Sequence, residues 1–356
     1  MPANIKRLAY FEAFMDPVAL TILGERTDIE LVRLEFTTSV PDTDAELRRC
    51  HGYQISPRTE LREPFFGDAA LLKRCPDLLA ISSTGAGYDM VDVDACTAAG
   101  VIVVNQSGTN KEGVAEHALG LMLTLSKKIA LSGQAMRRTQ DLDRRRYVGN
   151  DIRGKTVGII GIGHIGTRLA ELCRGLFGMT VLAYDPYLTA EQIAARGGTK
   201  VELPELLRRS DYVSVHCPRT SETFGMIGRA ELAQMQPHAY FVNTARGGIH
   251  DEPALAEALT EGRIAGAGLD VFLQEPPPLD HPLLAMENVA ISPHIAGMTV
   301  ESMHEMVVAT ARQWIAIFDG QAPPRLVNPE AWPKYSRRFA EVLGFPPVPP
   351  PLEGGG

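Results

Sequence analysis

The chain of 356 residues has only five cysteines, Cys50, Cys75, Cys96, Cys173 and Cys217, and no Cys-x-x-Cys pair. Such scatter gives no disulfide framework, and reduced thiols in the cytoplasm are expected. Long hydrophobic runs are also missing. The longest apolar stretch, near Ala118 to Leu125, is far shorter than the ~20 residues that span a bilayer, so no membrane association is expected. No secretory leader is expected either, because polar and acidic residues stand where an apolar segment would be needed. Net charge is −8, which argues against nucleic acid as a partner. One basic cluster, Arg137, Arg138, Arg144, Arg145 and Arg146, is interleaved or flanked by Asp141, Asp143 and Asp151 and reads as a solvated connector. His117, His216, His250, His281 and His304 stand in no ligand spacing with carboxylates or thiols, so no metal is expected. What remains is the composition of a globular protein, 45% hydrophobic and 22% charged, with length enough for two domains.

The run Val157 to Gly166 is the most informative segment. An apolar strand leads into Gly161-x-Gly163-x-x-Gly166, and a helix-compatible stretch from Thr167 follows. Gly161 permits the tight turn, Gly163 lets backbone approach a pyrophosphate, and Gly166 lets helix and strand pack closely. The helix N-terminus then faces the phosphates. A second apolar run, Met179 to Tyr184, ends at Asp185, 19 residues after Gly166, where an acid that binds a ribose 2′-hydroxyl belongs. A carboxylate there repels a 2′-phosphate, so NAD is the expected cofactor rather than NADP.

Around this motif the pattern is strand, helix, strand. Val157–Ile160, Val181–Tyr184, Tyr212–His216, Tyr240–Asn243, Gly266–Leu269 and Val289–Ser292 read as strands, enough for a doubly wound sheet. Upstream, Leu78–Ser82 and Val101–Val104 read as buried strands, with a short helix over Asp68–Arg74. One long helix is expected over residues 111 to 132, because Val114, Ala118, Leu121, Leu125 and Ile129 recur at helical spacing. Arg137 to Arg153 reads as a polar connector. A final helix, Val300 to Phe318, is expected to return to the first domain. The expected fold is therefore α/β, with two Rossmann-like or flavodoxin-like domains, parallel sheets and an inter-domain cleft. The expected boundaries are 1–104 for a substrate domain completed by 298–330, 105–297 for the nucleotide domain, and 331–356 for a Pro/Gly-rich tail.

Three more motifs leave strands of the second domain: Asn243 to Gly248, Asp270 to Pro277, and Ser292 to Gly297. Parallel sheets bind ligands beyond the carboxyl ends of their strands, so Arg246, Glu275 and His294 are delivered to one edge. A nicotinamide takes hydride as an alcohol loses a proton. His294 is the candidate to take that proton, since imidazole titrates near neutral pH. Glu275 is placed to pair with it. Arg246 offers a planar fork for a carboxylate and can polarise a carbonyl oxygen. Asp270 is expected at the cofactor ribose, with satisfying its own loop as the alternative.

These motifs resemble the D-isomer-specific 2-hydroxyacid dehydrogenase family, and the resemblance covers roughly residues 50 to 320. It implies Arg246, Glu275 and His294 as the catalytic set and a small 2-hydroxy or 2-oxo acid as substrate. It also implies cofactor contacts at Gly161, Gly163, His164, Ile165, Gly166, Asp185, Cys217, Thr244, Ala245, Arg246, Asp270, His294 and Gly297. Cys217 is read as a packing residue there, not a nucleophile. The loop Ser83 to Asp89 resembles the family's carboxylate-binding loop, in which Gly85, Ala86 and Gly87 expose backbone N–H groups to the acid, as in a nest. Ser56-Pro57-Arg58-Thr59 and the run Asn243 to Leu255 resemble members that act on 3-phosphoglycerate, which implies Arg58 beside a phosphate. Glyoxylate or hydroxypyruvate reduction, and NAD-responsive corepressor-like binding, are the alternatives. The resemblance further implies a homodimer through the nucleotide domain, and no carboxyl-terminal regulatory domain is expected.

Overall fold

A computed structural model describes residues 5–55 and 61–350. The chain forms two compact units. Unit 1 contains the described residues up to Asn110 and those from Val300 onward, and unit 2 is Lys111–Thr299.

Unit 1 alternates β1 (Lys6–Phe11), α1 (Val18–Gly24), β2 (Ile29–Leu34), α2 (Val40–Leu47), β3 (Gly52–Ile55), α3 (Ala69–Arg74), β4 (Ala80–Ser83), α4 (Val93–Ala99) and β5 (Ile102–Val104). The five strands are parallel in the order β2-β1-β3-β4-β5, the flavodoxin-like arrangement. Asp68 and Asp92 cap α3 and α4 with side-chain oxygens, which is why the short helices start where they do.

Unit 2 opens with α5 (Lys111–Ser126) and α6 (Ile129–Arg138). It continues through β6 (Thr156–Ile160), α7 (His164–Phe177), β7 (Thr180–Tyr184), α8 (Ala190–Ala195), β8 (Thr199–Lys200), α9 (Leu203–Arg209) and β9 (Tyr212–Val215). Then come α10 (Arg229–Leu232), β10 (Tyr240–Asn243), α11 (Glu252–Thr260), β11 (Gly266–Leu269) and β12 (Val289–Ile291). All strands are parallel, in the order β12-β11-β10-β9-β6-β7-β8. The order reverses between β6 and β9, the switch point at which such sheets bind nucleotides. One apolar layer packs α9, α10 and α11 on one face, and another packs α5 and α7 on the other.

The chain then returns to unit 1 as α12 (Val300–Phe318), followed by α13 (Trp332–Leu343). Trp314 of α12 is fully buried and donates its indole N–H to Gln54 Oε1 at 2.9 Å. A Cβ on Gly52 would stand 2.5 Å from that indole, so β3 needs glycine there to seat it.

Four expectations are corrected. The single helix over 111–132 is two helices, broken at Lys128, which takes a left-handed φ of 54°. The break has a distant cause: the Asn150 N–H bonds Ser126 O at 2.8 Å and caps α5 with chain from farther along. The polar connector from Arg137 begins inside α6 and holds a short 3-10 turn, Arg144–Tyr147. Residues 105–110 belong to unit 1, because Asn105 and Gln106 bond Ala86 O and Gly85 O. Finally, the segment from 331 is not a tail throughout. Trp332, Tyr335, Phe339 and Leu343 of α13 are buried in the core of unit 1.

Candidate active site

At the switch point of unit 2, Gly161 adopts φ 86°, and a Cβ there would press on Cys217 N at 2.7 Å. A Cβ on Gly166 would stand 2.4 Å from Gly161 O, while Gly163 has open space around it. The glycines therefore do two jobs: two of them close the turn onto its neighbours, and Gly163 clears the front. Gly163 caps α7 without a side chain, so the first-turn N–H groups of His164, Ile165 and Gly166 have no intrahelical acceptor. His164 is exposed at the mouth of the turn. Asp185, at the end of β7, accepts from Ile162 N at 3.3 Å and from Tyr187 N at 3.1 Å, which anchors the acid beside the turn. Burial pushes the Cys217 thiol up to about 11, which disfavours thiolate at neutral pH.

Arg246, Glu275 and His294 leave β10, β11 and β12, three adjacent strands. Glu275 Oε2 lies 2.7 Å from His294 Nδ1, and Glu275 Oε1 accepts from Phe272 N at 3.0 Å. Burial alone would raise the Glu275 carboxyl, but four other influences outweigh it. These are the His294 hydrogen bond, the His294 charge, the Phe272 N–H and the Arg246 charge, and together they hold it below its ordinary value. His294 itself sits at φ 57°, a costly conformation for a non-glycine residue. The buried Asn243 folds the Arg246 loop: its amide donates to Arg246 O at 2.9 Å, and its carbonyl accepts from Ala245 N at 2.9 Å. Thr244 Oγ1 in this loop is buried with no hydrogen-bond partner among the described residues. Gly297 closes the segment that carries His294.

Asp270, expected at the cofactor, is buried, and its carboxylate also organises the loop that carries His294. Its oxygens accept from Ser292 Oγ at 2.6 Å, Ile295 N at 2.9 Å and Ala296 N at 2.9 Å. His117 Nε2 lies 2.8 Å from Ser292 Oγ behind it. The carboxylate thus braces the loop that forces His294 into its left-handed turn.

In unit 1, the loop after β4 turns its carbonyls inward. Gly85 O accepts from Gln106 N at 2.9 Å, Ala86 O from Asn105 Nδ2 at 2.8 Å, and Gly87 O from Ser83 Oγ. Gly85 has open space beside it. Arg58, the expected phosphate ligand, lies outside the described residues. Among the described residues no group of three His, Cys, Asp or Glu side chains could hold a metal ion, and no helix is long and apolar enough to cross a membrane.

Sequence reasoning missed Asn243 as the organiser of the Arg246 loop, and it missed the His281–Glu252 pair behind Glu275. The second has no local signal, since its members are far apart in sequence.

A doubly wound sheet with a glycine turn at its switch point, and an imidazole–carboxylate pair three strands along, defines a dinucleotide-binding protein with acid–base groups at the ligand edge. Comparison with known proteins narrows the class. The family model described as D-isomer specific 2-hydroxyacid dehydrogenase, NAD binding domain, matches residues 119–296, and the chain belongs to that family. It is 39% identical over 261 residues to a D-3-phosphoglycerate dehydrogenase of Archaeoglobus fulgidus, covering 73% of this chain and 49% of that protein. It is 39% identical over 266 residues to a glyoxylate reductase of Korarchaeum cryptofilum, covering 74% of this chain and 80% of that protein. Among solved structures, D-lactate dehydrogenase from Aquifex aeolicus, complexed with NAD and lactic acid, superposes with a TM-score of 0.76 at 28% identity, covering 90% of this chain and 98% of that one. The holo form of Rhodotorula graminis D-mandelate dehydrogenase gives 0.81 at 27% identity, covering 92% and 98%. The chain thus spans about half the length of the phosphoglycerate dehydrogenase and most of the reductase.

Proposed function

We propose that the chain is an NAD-dependent oxidoreductase that moves hydride reversibly between NAD(H) and a D-2-hydroxy or 2-oxo acid. The observation that carries this reading is the His294–Glu275 pair at 2.7 Å, delivered by β12 and β11, with β10 and its Arg246 next to β11. The residues at the switch point fit the cofactor. A Cβ would fill the cradle at Gly166, the first turn of α7 offers N–H groups, and the buried Thr244 Oγ1 awaits a partner. Gly161, Gly163, His164, Ile165, Gly166 and Asp185 would hold the pyrophosphate and ribose. Cys217, Thr244, Ala245, Asp270, His294 and Gly297 would line the rest.

Bound NAD supplies the hydride acceptor. His294 takes the hydroxyl proton during oxidation and returns it during reduction. Glu275 stabilises the imidazolium in between. Arg246 holds the substrate carboxylate and polarises the carbonyl oxygen. Gly85, Ala86 and Gly87 of the unit 1 loop are read as further carboxylate donors, because the carbonyls of this loop are tied inward.

The similarity to proteins named D-3-phosphoglycerate dehydrogenase makes 3-phosphoglycerate the first acid to try, with Arg58 at its phosphate, and glyoxylate or hydroxypyruvate the next. NADH oxidation is followed with phosphohydroxypyruvate, hydroxypyruvate, glyoxylate, pyruvate and a bulky 2-oxo acid. Preference for the phosphorylated acid, lost in Arg58→Ala, supports that substrate. Preference for another acid rejects it and keeps the reaction class. No turnover despite tight NADH binding overturns the enzyme reading.

A homodimer is also proposed. Helix α6 buries none of its residues, and it exposes Ile129 and Met136. A monomer mass by light scattering at micromolar concentration refutes it. The thiols of Cys50, Cys75, Cys96, Cys173 and Cys217 are all free, as suits a reducing cytoplasm, and cell fractionation tests that location.

A further inference from the structure

Behind the pair assigned to acid–base work lies a second one. Glu252, the first residue of α11, could have stayed in solvent at a helix N-terminus, where an acid is favoured in any case. Instead its side chain is 11% exposed, and both oxygens point at the loop that carries Glu275. Oε1 accepts from Leu273 N at 2.6 Å, and Oε2 meets His281 Nε2 at 3.0 Å. His281 is 16% exposed and stands edge-on to Phe272, with ring centroids 5.5 Å apart. Two consecutive amides therefore go to two carboxylates: Phe272 N–H to Glu275, and Leu273 N–H to Glu252.

The peptide that joins those amides also touches the Arg246 loop. A Cβ on Gly247 would stand 1.9 Å from Phe272 O and 2.4 Å from Leu273 N. No side chain fits, and the two backbones lie in direct contact. Moving the Phe272–Leu273 peptide therefore shifts Glu275 on one side and presses on or releases the Arg246–Gly247 backbone on the other. Other charged groups stand close by, and Arg219 Nη1 donates to Gly247 O at 3.3 Å. Asp251 caps α11 through Ala254 N, and burial pushes His250 down to about 4, so it is neutral at working pH.

We propose that Glu252 and His281 are a positioning pair that locks the Phe272–Leu273 peptide and thereby sets Glu275 and Arg246 together. The proposal rests on the dehydrogenase reading only for its kinetic readout. A largely buried pair of this kind acts through the amide it bonds; outer partners that orient metal ligands commonly matter about 10- to 100-fold in activity, and the same magnitude is expected here.

The test uses the full chain with Glu252→Ala, Glu252→Gln and His281→Asn. Glu252→Ala is expected to lower kcat by about 10- to 100-fold with NADH affinity unchanged. Glu252→Gln keeps an acceptor for Leu273 N–H and is expected to recover most of that loss. Independently of turnover, the His294 imidazole is followed by NMR on histidine-labelled protein. In Glu252→Ala its Nδ1–H resonance is expected to move upfield, because a loosened Glu275 no longer holds the 2.7 Å hydrogen bond. Wild-type kcat and an unmoved His294 Nδ1–H resonance in Glu252→Ala overturn the proposal, and so does a lowered Tm with both of those intact. If Glu252→Ala does not fold, Glu252→Gln and His281→Asn carry the same two readouts. If the wild type turns over no 2-oxo acid while the His294 Nδ1–H resonance still moves in the variants, the positioning pair stands and the dehydrogenase reading fails.

Discussion

Replacing Glu275 by glutamine should separate the two directions of the reaction. The side chain keeps its shape and an oxygen that can accept from Phe272 N, but the charge facing His294 Nδ1 at 2.7 Å is gone. A hydrogen bond to a charged group is worth about 1.5–3 kcal/mol net, against about 1 kcal/mol for a neutral pair. His294 is 38% and Glu275 24% exposed, so solvent screening puts the loss of imidazolium stabilisation in the lower part of that range, about 1.5–2 kcal/mol. Reduction needs the imidazolium, which gives its proton to the carbonyl oxygen, while oxidation needs the neutral ring. The variant should therefore lose about 10- to 30-fold in reductive kcat at neutral pH. Oxidation at neutral pH should suffer much less. The assay is kcat in both directions from about pH 5 to about pH 9, the span in which imidazole titrates. Stability gives a second check. Glu275 lies below its ordinary value of 4.5 in the folded chain. Its contribution is therefore present above that value and lost as pH falls through the lowered one. The Gln variant should melt lower than wild type at neutral pH, and the gap should close in acid. Equal losses in both directions would mean that Glu275 only positions the ring, and the charge argument would be wrong.

Two buried histidines predict an acid-sensitive fold. Burial pushes both His216 and His250 down to about 4 from 6.5. Between those values the unfolded chain binds more protons than the folded one, so stability is full above 6.5 and falls as pH drops toward 4, by about 3 kcal/mol for each ring. Urea melts of wild type and His250→Gln at neutral and mildly acid pH check this, and an unchanged pH slope in the variant would refute it. Gly166→Ala places a methyl 2.4 Å from Gly161 O and 3.0 Å from Ile159 Cγ2. NADH affinity by fluorescence titration should fall by more than about tenfold, since the turn can no longer sit on α7; affinity within a factor of two or so of wild type would mean that the turn is not the pyrophosphate cradle. Asp185→Ala removes the acid beside Ile162 N. It should weaken NADH and reduce discrimination against NADPH, and unchanged selectivity would take the ribose away from Asp185.

What could be read in the sequence and what could not follow from one distinction. Parallel strands buried on both faces appear as unbroken apolar runs, and polar residues at their carboxyl ends stand out against them. That contrast is why Gly161, Asp185, Arg246, Glu275 and His294 could be placed at strand exits from composition alone, and why β6, β7, β9, β10, β11 and β12 were legible. Strand β8 was not, because two residues paired with Leu182 and Ala183 leave no periodicity to detect. Helix α13 was hidden by its surroundings. Prolines on either side suggested a loose terminus, although Trp332, Tyr335, Phe339 and Leu343 repeat at helical spacing and are all buried. The break after α5 was invisible for a stronger reason: the cap on Ser126 O comes from Asn150, and no local pattern announces it.

The residues that act through others fall in the same class as that distant cap. Asp270 sits at a strand exit and was read as a cofactor ligand. In the folded chain its oxygens are taken by Ser292, Ile295 and Ala296, and its visible work is to hold His294 at φ 57°. Glu252 and His281 carried no signal, because their meaning depends on where β10 and β11 bring the Phe272–Leu273 peptide. A residue that touches a ligand is chosen for its own chemistry, and its type and place along the chain reveal it. A residue that holds another in position is chosen for a geometry that exists only after folding, and Gly247 shows how tight that geometry is. The Arg246 and Glu275 loops share one backbone contact there, so the groups assigned to the carboxylate and to the proton cannot drift independently.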